Sequence, residues 1–141
     1  MWSPGPGVIE LPSGLTVRGR SLRAGVPAGT SPDFAVYLRG QSPEVTDWSS
    51  IWLRWPDFWV PLDGSDARQV IGELYARLAD RRCEVACGGG VGRTGSVLAA
   101  LAVLDGLEPD AAIGLIRERY HPRAVEMPWQ RRWVARVASR G

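Results

Sequence analysis

Residues 83–106 read CEVACGGGVGRTGSVLAALAVLDG. A short apolar run opens the stretch, five glycines follow within the nine residues from Cys87 to Gly95, and no breaker interrupts Ser96 to Asp105. That order predicts a strand, a tight loop and a buried helix. Cys87 closes the strand and Arg93 stands six positions later. Between them Gly88, Gly89, Gly90, Val91 and Gly92 let the chain fold back, because glycine accepts positive φ and permits close backbone approach. Successive N–H groups of such a loop face inward and form an anion-binding concavity, reinforced by the amino terminus of the next helix. The expected ligand is a phosphate group.

The same surroundings favour a thiolate, which makes Cys87 the candidate nucleophile. Arg93 carries a planar fork of donors that holds two phosphate oxygens at once. Thr94 is placed to donate its hydroxyl to the sulfur. Taken together, Cys-x5-Arg-Thr-Gly, Cys87 to Gly95, resembles the signature loop of the cysteine-dependent protein tyrosine and dual-specificity phosphatases. The resemblance implies a compact α/β domain of the dual-specificity type, with a central, mostly parallel sheet flanked by helices. It also implies a cysteinyl-phosphate intermediate formed without metal or other cofactor. The family usually places a histidine before the cysteine, where this chain has Ala86.

A second resemblance lies upstream. Ser50 to Trp55 predicts a strand that runs into Pro56, which cannot continue a sheet ladder, so Asp57 belongs to a loop at the strand's end. Trp55-Pro56-Asp57 is similar to the family's acid loop, whose aspartate protonates the leaving oxygen. The separation of 30 positions from Asp57 to Cys87 leaves room for one loop, one helix and one strand. A positioned acid of this kind contributes about 10²–10⁴-fold to rate. Asp63 and Asp66 are rivals, but they fall where the next helix begins and acidic residues are expected there. Downstream, Gln130 matches the family's glutamine that orients the hydrolytic water; a glutamine in a helix's first turn is equally often a surface residue.

The same loop also satisfies G-x-G-x-x-G, Gly90 to Gly95, the dinucleotide-binding fingerprint. That motif needs a further strand after its helix, and Gly106-Leu-Glu-Pro109 starts another helix instead.

Composition narrows the function classes. A chain of 141 residues with 45% hydrophobic content supports one compact domain, spanning 1–141, with residues 1–7 expected to lie loosely on the surface. A net charge of +2 implies no nucleic-acid partner, although 17 Lys plus Arg suit an anionic substrate. Cys83 and Cys87 would be about 13 Å apart along a strand, beyond disulfide reach. Free thiols fit a reducing, cytoplasmic setting, and no stretch reaches membrane-span length. The single histidine, His121, offers no Cys-His pair or histidine-based metal cluster.

The remaining pattern surrounds the motifs. Val8–Leu11 and Leu15–Arg18, split by Pro12-Ser13-Gly14, predict an edge hairpin. Arg18, Arg20 and Arg23 read as solvated surface residues, or as a second anion contact beside the pocket. Phe34–Arg39 predicts a strand, and Gly40 to Asp47 breaks it. Helices are expected from about Asp66 to Asp80, through Leu104, from Pro109 to His121, and from Pro128 onward with Trp129 or Trp133 buried. Trp48, Trp52, Trp55 and Trp59 are too dense for all to be buried, so some line a cleft. Phosphorylated protein, phosphotyrosine first, is the expected substrate, ahead of other phosphate esters. A phosphate-binding module without turnover and a dinucleotide-binding protein are the alternatives.

Overall fold

The computed structural model describes residues 1–41 and 47–137. Among the described residues, five strands and four helices follow in the order β1 (Val8–Glu10), β2 (Thr16–Ser21), β3 (Phe34–Arg39), β4 (Ser49–Arg54), α1 (Gly64–Arg77), β5 (Cys83–Cys87), α2 (Gly92–Leu104), α3 (Pro109–Arg119) and α4 (Pro128–Val137). The strands form one sheet, ordered β1-β2-β5-β3-β4. β1 pairs antiparallel with β2 as an edge hairpin, and every other pair is parallel. The Gly40–Asp47 break between β3 and β4 lies largely outside the described residues.

The two faces of the sheet differ in chemistry because side chains alternate along each strand. Phe34, Val36, Leu38, Leu53, Cys83, Val85 and Cys87 join the apolar faces of all four helices in one core. α2 is buried along most of its length and packs against α3, α4 and β5, as a helix apolar on all sides must. Gly95 makes that packing close: a β-carbon there would lie 2.5 Å from the Ala124 side chain. Asp63 caps α1 by accepting from the Asp66 amide at 3.0 Å, so both acidic rivals of Asp57 serve the helix start. No strand follows α2 among the described residues, so the βαβ unit of a dinucleotide fold is not formed.

The opposite face corrects two expectations. Arg18 and Arg20 are not solvated: both are buried and converge on Glu84, itself fully buried in β5. Residues 18 and 20 stand two apart on β2 and so point the same way, directly at the neighbouring strand's carboxylate (Arg18 is paired with Glu84 in register). Nor does the amino terminus lie loose throughout. Trp2 is buried; its indole donates to the Cys83 carbonyl at 2.8 Å, and the Arg18 guanidinium stacks on its ring 4.2 Å from the centroid. An indole this large stabilises whatever segment carries it, which outweighs the Pro and Gly around it.

Candidate active site

All four parallel strands deliver their carboxyl ends to one place. Cys87 is in register with Ser21 of β2 and Leu38 of β3, and Arg39 with Arg54 of β4. In parallel sheets ligand sites form at this edge, where carbonyls and loops converge. Cys87 ends β5 there, and Gly88–Val91 turn back before α2 begins at Gly92. Gly90 sits at φ +70°, and a β-carbon on it would fall 2.7 Å from the Ser21 amide nitrogen, so both conformation and space demand glycine.

The loop wraps around the sulfur. The Gly90 amide donates to Cys87 Sγ at 3.2 Å and the Thr94 hydroxyl donates to it at 3.0 Å. Both are donors aimed at the sulfur. Tyr120, just beyond α3, donates its hydroxyl to the Gly90 carbonyl and lies over Gly19, where no side chain would fit. Burial, with the nearby Cys87 and Glu84 charges, pushes the Tyr120 phenol well above its ordinary range, so it remains a donor. Cys83, four residues before Cys87, is pushed up to about 11, chiefly by burial, and stays an inert thiol in the core.

Arg93 ties the loop to the strand ends. One terminal nitrogen donates to the carbonyls of Leu38 at 3.2 Å and Trp55 at 3.1 Å, while the other lies 3.4 Å from Asp57 Oδ1. Its Nε is buried without a partner. A buried donor left unpaired costs about 1–3 kcal/mol, and an anion seated in the loop would satisfy it.

Asp57 reaches the cleft from the acid loop, with its side chain about half exposed. Phe58 follows at φ +59° and its amide donates to Asp57 Oδ1 at 3.0 Å, which aims the carboxylate. α4 holds this loop. Trp129 donates to the Phe58 carbonyl at 2.5 Å, and the buried Gln130 donates to Trp59 at 3.1 Å. The Gln130 oxygen accepts from the Glu126 and Met127 amides, so both its oxygen and its nitrogen are bound to backbone. Of the four clustered tryptophans, Trp55 is buried edge-on against Trp133, and Trp52 and Trp59 are exposed.

A cleft of about 150 Å³ lies between these parts, lined by Cys87, Arg93, Asp57, Phe58, Arg23 and Glu126 among others. Sequence reasoning missed Glu126, whose carboxylate packs against Gly92 at the start of α2, where a helix terminus favours negative charge. It also missed Glu84, although a lone acid inside the apolar run Cys83–Cys87 was a readable signal of a buried ion pair. The larger cavity, about 490 Å³, is lined by the amino-terminal segment and Arg82, at the far end of β5 from the nucleophile. Among the described residues no cluster of three His, Cys, Asp or Glu side chains is placed to hold a metal ion, and no helix is long and apolar enough to cross a membrane.

This architecture is the protein tyrosine phosphatase fold in its compact, dual-specificity form. Among solved structures, the chain is similar to Tk-PTP in its active form, with a TM-score of 0.68 and 24% identity over 77% of this chain and 80% of that one. It is also similar to human DUSP28, with a TM-score of 0.66 and 18% identity over 96% and 95% of the two chains. Kinase associated phosphatase is similar with a TM-score of 0.58 and 18% identity, over 71% of this chain and 65% of the other. No protein-family model and no curated protein matches the sequence itself.

Proposed function

We propose that this chain hydrolyses phosphomonoesters through a cysteinyl-phosphate intermediate. The observation that carries the reading is Cys87 Sγ held by Thr94 and Gly90 beside an arginine whose buried Nε has no partner. Sulfur attacks phosphorus as the ester P–O bond breaks, and Asp57 gives its proton to the departing oxygen. Arg93 and the amides of Gly88, Gly89, Gly90, Val91 and Gly92 take up the charge on the equatorial oxygens. Water then attacks the cysteinyl phosphate, losing a proton to Asp57; the S–P bond breaks and inorganic phosphate leaves. Gln130 acts here as a strut for the acid loop, its amide being bound to backbone on both sides.

The preferred substrate is phosphotyrosine protein, because the exposed Phe58 lines the cleft and presents an aromatic wall. Phosphoserine or phosphothreonine protein, nucleotides and other small phosphate esters follow. The reaction belongs to a reducing, cytoplasmic compartment, where a free Cys87 thiol persists. A phosphate-binding module without turnover is the second reading, favoured by Ala86, which packs with Ala35 and Tyr37 on the sheet face away from the sulfur.

The experiment is hydrolysis of an aryl phosphate from pH 5 to 8, without added metal, by wild type, Cys87→Ser and Asp57→Asn. Turnover lost in Cys87→Ser and reduced at least about tenfold in Asp57→Asn is the expected result. A wild type that binds vanadate without releasing phosphate from any ester selects the binding module.

A further inference from the structure

The carbonyls of the glycine loop are fastened by groups that do not line the cleft around Cys87. Gly88 accepts from the Ser21 hydroxyl at 2.9 Å, Val91 from the Gly95 amide at 2.7 Å and Gly92 from the Ser96 hydroxyl at 2.7 Å. In a trans peptide the C=O and the N–H that follows it point opposite ways. A carbonyl fastened away from the cleft therefore turns its peptide's amide toward it. β2 and the first turn of α2 orient the amides of Gly89, Gly92 and Arg93 in this way. The peptide between Gly90 and Val91 is held differently. Its carbonyl accepts from the Tyr120 hydroxyl, which comes from the end of α3, 30 positions along the chain.

Tyr120 is placed by structure that does not depend on the loop. Its amide closes α3 on the Ile116 carbonyl at 2.8 Å. Three residues earlier, Arg117 donates to the carbonyls of Ala124 and Val125, each at 2.8 Å, and fixes the chain's path beyond the helix. The phenol ring lies against β2, where a β-carbon on Gly19 would meet its atoms at 2.6 to 2.8 Å. Gly90 approaches the same strand at Ser21, so ring and loop sit side by side on one rigid backbone. The loop itself is soft, because a peptide next to glycine rotates at little cost. The Gly90 amide is already engaged with Cys87 Sγ, and the orientation of the next peptide falls to the phenol. Val91, whose amide belongs to that peptide, lines the cleft.

We propose that Tyr120 is a positioning residue for anion binding: its hydroxyl pins the Gly90 carbonyl outward and so aims the Val91 amide at an oxygen of the bound phosphate. This rests on the reading of the loop as a phosphate cradle. Tyr120 stays behind the loop, meets no substrate atom and acts through the peptide alone. Without the hydroxyl the buried Gly90 carbonyl loses its donor, and rotation of the peptide would set an acceptor where the phosphate needs a donor.

The test compares wild type with Tyr120→Phe, which keeps the ring on Gly19 and removes only the hydroxyl. Inorganic phosphate and vanadate are titrated by calorimetry, the Val91 amide is followed by NMR as phosphate is added, and kcat/KM is measured on an aryl phosphate. In Tyr120→Phe both anions bind about fivefold more weakly or worse, kcat/KM falls in parallel, and the Val91 amide proton moves far less on phosphate addition than in wild type. A hydroxyl that serves only the fold lowers the melting temperature and leaves the folded variant's anion affinity and Val91 shift at wild-type values; that result overturns the proposal and leaves hydrolysis standing. If wild type binds the anions but releases phosphate from no ester, the hydrolysis reading falls, and the anion titrations decide the role of Tyr120 by the same two outcomes. Gly19→Ala supplies the second variant, since its methyl displaces the ring without touching the hydroxyl. It weakens anion binding in wild type and adds little in the Tyr120→Phe background, where the link is already cut; losses that multiply in full overturn the single link.

Discussion

The glycine loop after Cys87 and the loop that carries Asp57 face each other across one cleft and are held by opposite means. Cys87 and its loop grow out of a fully buried strand and a fully buried helix start, and Gly90 is fitted against the β2 backbone. Asp57 sits on an exposed loop held by a few side-chain hydrogen bonds: Trp129 to Phe58, Gln130 to Trp59, and Arg93 to Trp55. Cys87 is thus placed by the fold, and Asp57 by contacts that can be lost singly. Changes to the packing around Cys87 should act on chemistry and stability together, unlike an exchange of the sulfur itself, whereas changes around Asp57 should act on the proton-transfer step alone.

The sharpest break in that comparison is Cys87→Ser, for which aryl phosphate turnover is abolished while the melting temperature stays close to wild type. Asp57→Asn comes next. Turnover of an alkyl or phenyl ester falls about 10²–10⁴-fold, while an ester with a nitrophenolate leaving group, which needs no proton, falls far less. A Brønsted plot across leaving groups, steep in the variant and shallow in wild type, is the measurement. On the phosphate-loop side, Gly95→Ala pushes a methyl into Ala124 and costs about 1–3 kcal/mol by denaturant titration. A loss of turnover without that loss of stability would contradict the coupling drawn here.

Trp129→Phe removes one hydrogen bond to the acid loop, worth about 0.5–1.5 kcal/mol, and should show the same leaving-group selectivity as Asp57→Asn on a smaller scale. The smallest effect lies far from both loops. Burial pushes the Asp105 carboxyl up, but hydrogen bonds from the Ser13 hydroxyl and amide and from Tyr75 outweigh it and hold the group below its ordinary range. A depressed folded value stabilises the protein above the unfolded value, about 3.9, and that contribution is lost as pH falls through the folded one. The melting-temperature gap between wild type and Asp105→Asn should therefore be present at pH 6 and shrink below about pH 4.

The features easiest to read from sequence were those fixed by local chemistry. Cys87 to Gly95 and Trp55 to Asp57 each carry their meaning within a few residues, and glycine or proline marks the turn in both. The helices starting at Pro109 and Pro128 were legible for the same reason. Arg18 and Arg20 were not, because their partner Glu84 is 64 or more positions away and only the parallel β2–β5 register brings them together. Trp2 likewise depends on a carbonyl 81 residues distant. Gln130 was read from its motif, but its bond to Trp59 spans 71 residues and became visible only once α4 was docked.

Arg93, proposed above to hold phosphate, also donates to the carbonyls of Leu38 and Trp55 at the ends of neighbouring strands. Losing it would leave two strand ends without their tie whether or not any ester is ever cleaved. A descendant of this chain without the proposed chemistry, with Cys87 drifted to serine or alanine, would still be under selection to keep the arginine for folding. In sequences of this kind the arginine therefore testifies to architecture, and only the sulfur testifies to a trade still practised.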